Sequence, residues 1–385
     1  MSRLDLPAME QDIDAIRETD VDPAWHITTE EENDLVEAES TATAVSYSGQ
    51  DFDVSGLVRR LQKQDVLIPS YGHGDDRIIS AGFQRSFVWT RPQMDRFIES
   101  ILLGYPIPGI FLVRQADRRY LVLDGQQRLK TLEYFSEGLY DGREFSLQNV
   151  ADQFKNLTYK SLGEDQRRLF DDTFLQATIV AADDTSESLE AVYQIFERLN
   201  SGGTQLTPHE IRVALFAGSF IDFVEELNKD LNWRTLYGKK SPRLRDQELV
   251  LRIVALYVNV ALYRRPLKTF LNRFVAEHRQ DKADELEVTI GKNFREAARL
   301  LATGSGAGAF RLGSSQINAA LTEAIFVGLM RRLDQGSQVE RARLEVEMER
   351  LHNDEALLEA VSRATADEER VRARLEATTR AFARV

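Results

Sequence analysis

Asp124, Gly125, Gln126, Gln127 and Arg128 follow directly on the apolar run Tyr120–Leu123 and precede the helical pattern Leu129, Leu132, Phe135. A strand that turns into a helix through these five residues has the parts of an anion site. The first N–H groups of a helix lack intrahelical acceptors and sit at the positive end of its dipole. Gly125 permits close backbone approach and unusual dihedrals. Arg128 adds a permanent planar fork suited to phosphate, and Gln126 and Gln127 add neutral donors and acceptors. Asp124 could cap the helix or hold a metal that bridges phosphates. The alternative at this point is plain: a capped helix start with a solvated first turn. No G-x-x-x-x-G-K-[ST] loop occurs in the chain.

Several elements must hold that turn. Val54, Leu57, Val58 and Leu61 share one face of an expected helix, and a strand and turn are expected over Ile78–Thr90. Thr90 as N-cap, Pro92 in the first turn and Gln93 at the capping-box position start the next helix, which Gly104 should end. "GIFLVRQADRRYLVLD" has the pattern of a hairpin that delivers its second strand to Asp124. A further strand is expected in "FLQATIVAAD" and a helix in "SLEAVYQIFERLN". Thr207, Pro208 and Glu210 mark another helix start. Helix then follows helix to residue 385, broken by "YGKKSPRLR" and by the glycine-rich "ATGSGAGAFRLGSS", expected to be a flexible loop.

Composition narrows the classes. There are no cysteines among the 385 residues, which removes disulfide frameworks, thiol nucleophiles and Cys-based zinc, and fits a cytoplasmic protein. No signal-peptide pattern opens the chain. The most apolar stretch, Leu249–Tyr263, is too short to span a bilayer and carries Arg252 and Asn259, so it is expected to be a buried helix. The net charge of −13 is concentrated: residues 1–50 hold 13 acidic and two basic side chains, which predicts a disordered or loosely docked leader and leaves the remainder nearly neutral. The acidic total therefore does not exclude nucleic acid. Lys239, Lys240, Arg243 and Arg245 in "WRTLYGKKSPRLR" form a basic stretch that could track DNA phosphates or simply be solvated.

Three segments taken together carry a family resemblance: "GFQRSFVWTRPQMDRFIESILLGYPIPGIFL", "LVLDGQQRLKTL" and "IFERLNSGGTQLTPHEIRVALF", in that order. The stretch from Phe52 to Phe216 resembles the N-terminal domain of GmrSD-type, modification-dependent restriction systems. The resemblance implies an α+β fold with a ParB/sulfiredoxin-like N-terminal core, followed by a helical C-terminal domain. Charge and element pattern divide the chain into an acidic leader over 1–50, an α+β part over 51–205 and a helical domain over 206–385; the resemblance makes 51–205 a nucleotide-binding domain. It further implies binding and hydrolysis of a nucleoside triphosphate (ATP, GTP or CTP) with Mg²⁺, in a sensor or regulatory subunit of an anti-phage defence system. Carried over by position, Asp124, Gln127 and Arg128 would be catalytic. Arg85, Gly125, Gln126, Thr131, Arg198 and Asn200 would bind the nucleotide. Lys130 is a departure, since a small hydroxyl residue usually stands there in the family.

Alternatives stay open for single residues. Arg85 could instead pair with Asp95 or Glu99, Trp89 could be core rather than a stacking platform, and Asn200 could cap a helix. The five histidines, at 26, 73, 209, 278 and 352, make no His-Asn-His arrangement, and "GHGDDR" (His73, Asp75, Asp76) reads as a polar loop rather than a metal site. The expected partners are accordingly a separate nuclease or effector subunit and DNA, with its modification and any self-association undetermined. Two other functions remain: a ParB-like DNA-binding module without hydrolysis, and a metal-dependent nuclease in its own right.

Overall fold

The computed structural model describes residues 25–26, 45–68, 89–115, 117–181, 185–199, 206–313, 315–336 and 338–385. The chain divides into two compact units. One comprises Ala38–Asp222 with Asn272–Gln280, and the other Met1–Glu37, Phe223–Leu271 and Asp281–Val385. The first unit thus runs beyond the boundary expected at residue 205 and recruits a segment some fifty residues further on. The protein is mixed α and β, with one small mixed sheet in the N-terminal region and a helical C-terminal part. Of the acidic leader, residues 45–50 and Trp25–His26 (β1) are described. β1 pairs in parallel with Ile317–Asn318 (β9) inside the helical unit.

The sheet of the first unit contains Tyr47–Asp53 (β2), Val66–Leu67 (β3), Ile110–Arg114 (β4), Tyr120–Asp124 (β5) and Phe174–Ala181 (β8), in the order β2-β8-β4-β5-β3, while Leu139–Tyr140 (β6) and Arg143–Glu144 (β7) pair only with each other. β2 begins at Tyr47, inside the expected leader. β4 and β5 form the expected antiparallel hairpin, with a register irregularity between Phe111 and Leu112. β4 pairs in parallel with β8, and β2 closes one edge antiparallel to β8. The inner strands are buried on both faces through Leu112, Val113, Leu121, Val122 and Leu123, as continuous apolar runs require.

Helices Val54–Gln62 (α1), Arg91–Leu102 (α2) and Gln126–Glu137 (α3) complete this layer. α1 buries Val54, Leu57, Val58 and Leu61. α2 starts at Thr90, whose N–H donates to Gln93 Oε1 at 2.8 Å, and buries Met94, Phe97, Ile98 and Ile101. α3 buries Leu129, Leu132 and Phe135, each worth about 1.5–3 kcal/mol against exposure. Phe135 makes edge contacts with Phe145 and Phe170 at 5.5 and 5.3 Å. Glu164–Asp171 (α4), Ser186–Leu199 (α5) and Pro208–Leu215 (α6) follow. At α6, Glu210 N–H donates to Thr207 Oγ1 at 3.2 Å and Thr207 N–H to Glu210 Oε2 at 2.6 Å, a reciprocal box that the sequence announces.

In the helical unit, Arg245–Asn259 is a buried helix, as its apolar pattern requires. Its Arg252 is 1% exposed and meets the equally buried Glu323, which also takes Arg374 at 2.7 Å. Residues Gly306–Phe310 depart from the expected loop. They form a short 3₁₀ turn that buries Ala309 and Phe310, because the ring of Phe310 lies 5.7 Å from that of Phe326. No helix among the described residues is long and apolar enough to cross a membrane.

Candidate functional site

β5 hands the chain to α3 through Gly125 at φ +98° and ψ 8°, a left-handed conformation. A Cβ there would stand 2.4 Å from Ile110 Cγ2, so neither the dihedral nor the space admits a side chain. Gly125, not Asp124, is the N-cap of α3, and it gives the first turn no side-chain cap. The capping role open to Asp124 is thereby corrected. Its carboxylate turns to Arg128 instead, accepting from Nη2 at 2.8 Å. The same nitrogen donates to the carbonyl of Gly109 at 3.0 Å. Arg128 Nε is buried with no hydrogen-bond partner. The side chain of Arg128 is 15% exposed and that of Asp124 48% exposed, so the acid faces outward and the guanidinium is packed behind it.

Gln126 is half-buried. Gln127 accepts the backbone N–H of Trp89 on its Oε1 at 3.2 Å. Thr131 is fully buried and donates its hydroxyl to the carbonyl of Gln127 at 2.7 Å, the back-bond typical of a helical threonine. Lys130 faces the other way, paired with Glu133 at 2.9 Å and 5.9 Å from the ring of Tyr134. Burial pushes the Tyr134 phenol above its ordinary range, against the pull of Lys130. Trp89 packs edge-on against Phe97 at 5.4 Å, a core contact. Arg198 is exposed in the last turn of α5. Arg85, Asn200 and the "GHGDDR" segment lie outside the described residues. Both carboxylates considered for Arg85 are engaged locally. The buried Asp95 takes Arg91 at 3.0 Å and the N–H groups of Gln148 and Asn149, and Glu99 accepts from the N–H of Ala151 at 2.7 Å.

The basic stretch of the helical unit is partly committed. Lys240 reaches the buried Glu225 at 2.8 Å, and Arg234 reaches the buried Asp246 at 2.6 Å. Lys239 is exposed, Arg243 lies half-exposed in the loop, and Arg245 opens the long helix with its Nε buried. Among the described residues no group of three or more His, Asp or Glu side chains is arranged to hold a metal ion.

Two features escape sequence reasoning: the carbonyl of Gly109 as the second anchor of Arg128, and the contact of Gln127 with Trp89. Both join residues distant in the chain, and neither has a local pattern. Asp95 did carry a signal, an acid set beside Met94 on the apolar side of α2.

The strand-to-helix turn is thus shaped by glycine and backed by an arginine tied to Asp124 and Gly109, on a small mixed sheet. Residues 65–217 match the family model of the GmrSD restriction endonuclease, N-terminal domain. The resemblance in the three motifs is thereby borne out over residues 65–217, and the match points to a restriction-system component. An uncharacterized protein of Methanocaldococcus jannaschii is 24% identical over 247 aligned residues, covering 42% of this chain and 40% of that protein. The chain therefore spans less than half the length of that relative. No solved structure matches the chain.

Proposed function

We propose that the chain is a nucleotide-binding sensor or regulatory component of a restriction system, with the turn at Gly125 as its triphosphate cradle. The observation that carries this reading is the glycine-shaped start of α3, whose N-cap supplies no side-chain acceptor to the first turn. Three successive N–H groups, at Gln126, Gln127 and Arg128, are placed where a helix receives phosphate. Gln126 supplies a side-chain donor beside them. Arg128 lends positive charge while its tie to Asp124 and Gly109 keeps the turn in one shape. Mg²⁺ is commonly held by one or two carboxylates together with phosphate oxygens. The half-exposed Asp124 is a carboxylate of that kind, so the residues fit the ion. When bound, Mg²⁺ would neutralise phosphate charge. Hydrolysis, a ParB-like core and a separate nuclease or effector subunit belong to the same proposal.

Calorimetry with ATP, GTP and CTP in the presence of Mg²⁺ tests it. Binding of at least one triphosphate that is lost in Arg128→Ala supports the reading, and no binding of any of the three to the wild type removes it. DNA contact without hydrolysis, through Lys239 to Arg245, is the second reading. It has narrower support because Lys240 is held by Glu225. The reading as a metal-dependent nuclease draws no support from the described residues.

A further inference from the structure

The side chain of Gln127 is turned to the start of α2. Its Oε1 accepts the N–H of Trp89, 38 positions earlier, at 3.2 Å in a partly buried setting. Trp89 immediately precedes Thr90, the N-cap of α2, and its ring is fixed against Phe97 at 5.4 Å. The carbonyl of Gln127 is meanwhile engaged by Thr131. Gln127 thus joins the first turn of α3 to the residue before the N-cap of α2 through both its side chain and its place in the helix. A glutamine that orients an attacking water uses its amide oxygen as the acceptor. Here that oxygen already accepts one backbone donor, which ties the side chain to the start of α2.

From this geometry we infer that Gln127 is a positioning residue. It is a clasp that fastens Trp89, at the threshold of α2, to the phosphate-accepting turn. It does not touch the attacking water. The inference rests on the nucleotide reading for its functional arm only, because the clasp itself is a property of the folded chain.

The test uses the full chain and two substitutions. Gln127→Met keeps the length and removes the acceptor, whereas Gln127→Glu keeps an acceptor oxygen. Amide exchange at Trp89 is followed by mass spectrometry on overlapping peptides, and KM and kcat, or Kd where turnover is absent, are measured with the triphosphate that binds. In Gln127→Met, exchange at Trp89 should accelerate about tenfold, the scale of one hydrogen bond. KM or Kd should rise about tenfold, with kcat within twofold of wild type. Gln127→Glu should return exchange at Trp89 to within twofold of wild type. A hundredfold fall in kcat for Gln127→Met, with KM and Trp89 exchange unchanged, would overturn the clasp in favour of a water-orienting role. Unchanged Trp89 exchange in Gln127→Met overturns it in any case. If the wild type binds no triphosphate, the nucleotide reading fails while the exchange measurement still decides the clasp.

Discussion

Arg128 and Asp124 are bound to each other across one turn of backbone, with Nη2 of the arginine 2.8 Å from Oδ2 of the acid and the same nitrogen 3.0 Å from the carbonyl of Gly109. One nitrogen therefore joins the end of β5, the start of α3 and the residue before β4. A lysine has a comparable charge but not the planar fork. Arg128→Ala should lower stability by about 1–2 kcal/mol, allowing for the half-exposed acid. Arg128→Lys should recover part of that loss, read from the urea midpoint at constant slope. Triphosphate affinity should fall in both.

Gly125 should tolerate no replacement. Gly125→Ala combines a left-handed φ with a 2.4 Å approach to Ile110, whereas Gly138, at φ +75°, has nothing within 4 Å of an added Cβ. Gly138→Ala should cost about 1 kcal/mol for the dihedral. Gly125→Ala should cost at least 2 kcal/mol more, since packing adds to the strain. Equal losses in chemical denaturation would show that the close contact relaxes freely.

The paired groups Tyr159 and Asp171 give a pH dependence. The Tyr159 hydroxyl lies 3.0 Å from Oδ1 and 3.1 Å from Oδ2 of Asp171. Burial raises the carboxyl of Asp171 above its ordinary 3.8, outweighing the lowering by Tyr159 and Arg167, with Asp172 and Asp53 adding to the rise. The folded state thus binds this proton more tightly than the unfolded chain, so the contribution is most favourable below pH 3.8. It declines as pH rises through the folded value and is constant beyond it. Asp171→Asn, which still accepts from Tyr159, should flatten the stability profile just above that point. A profile identical to wild type in acid unfolding experiments would count against the assignment.

Glu323 stands between two buried guanidinium groups, Arg252 and Arg374. Glu323→Leu leaves both charges buried without it and should cost about 3–5 kcal/mol. Replacing all three residues together, as Arg252→Met, Glu323→Leu and Arg374→Met, should cost less than the single change, because no charge is then stranded. Thermal unfolding of the two variants checks the order.

Much of this architecture was legible because its signals are local. Thr90 with Gln93, Thr207 with Glu210, and the run from Tyr120 into Leu129 announce their elements within a few residues. The hairpin of β4 and β5 follows from two apolar runs around a polar turn. Illegible were the contacts made by closure of the fold. Arg128 finds Gly109, and Gln127 finds Trp89, only after the sheet and α2 are in place. The capping role open to Asp124 is not taken up for a physical reason: an acid one helical turn from an arginine can satisfy that arginine instead of the backbone. Gly306–Phe310 was misjudged because composition hides a single aromatic that packs.

One segment carries a practical lesson about where this protein can be cut. Asn272 accepts from Nε of the fully buried Arg212 at 2.9 Å and donates to Glu190 at 3.0 Å, and Arg279 Nε donates to the carbonyl of Ala217 at 3.0 Å. These residues belong with Ala38–Asp222 although they follow it by fifty positions. A recombinant fragment ending where the family match ends, at residue 217, would expose or strand the guanidinium of Arg212. Fragments meant to isolate the unit that holds the Gly125 turn should therefore extend through Gln280, and the shorter ones are expected to aggregate on expression.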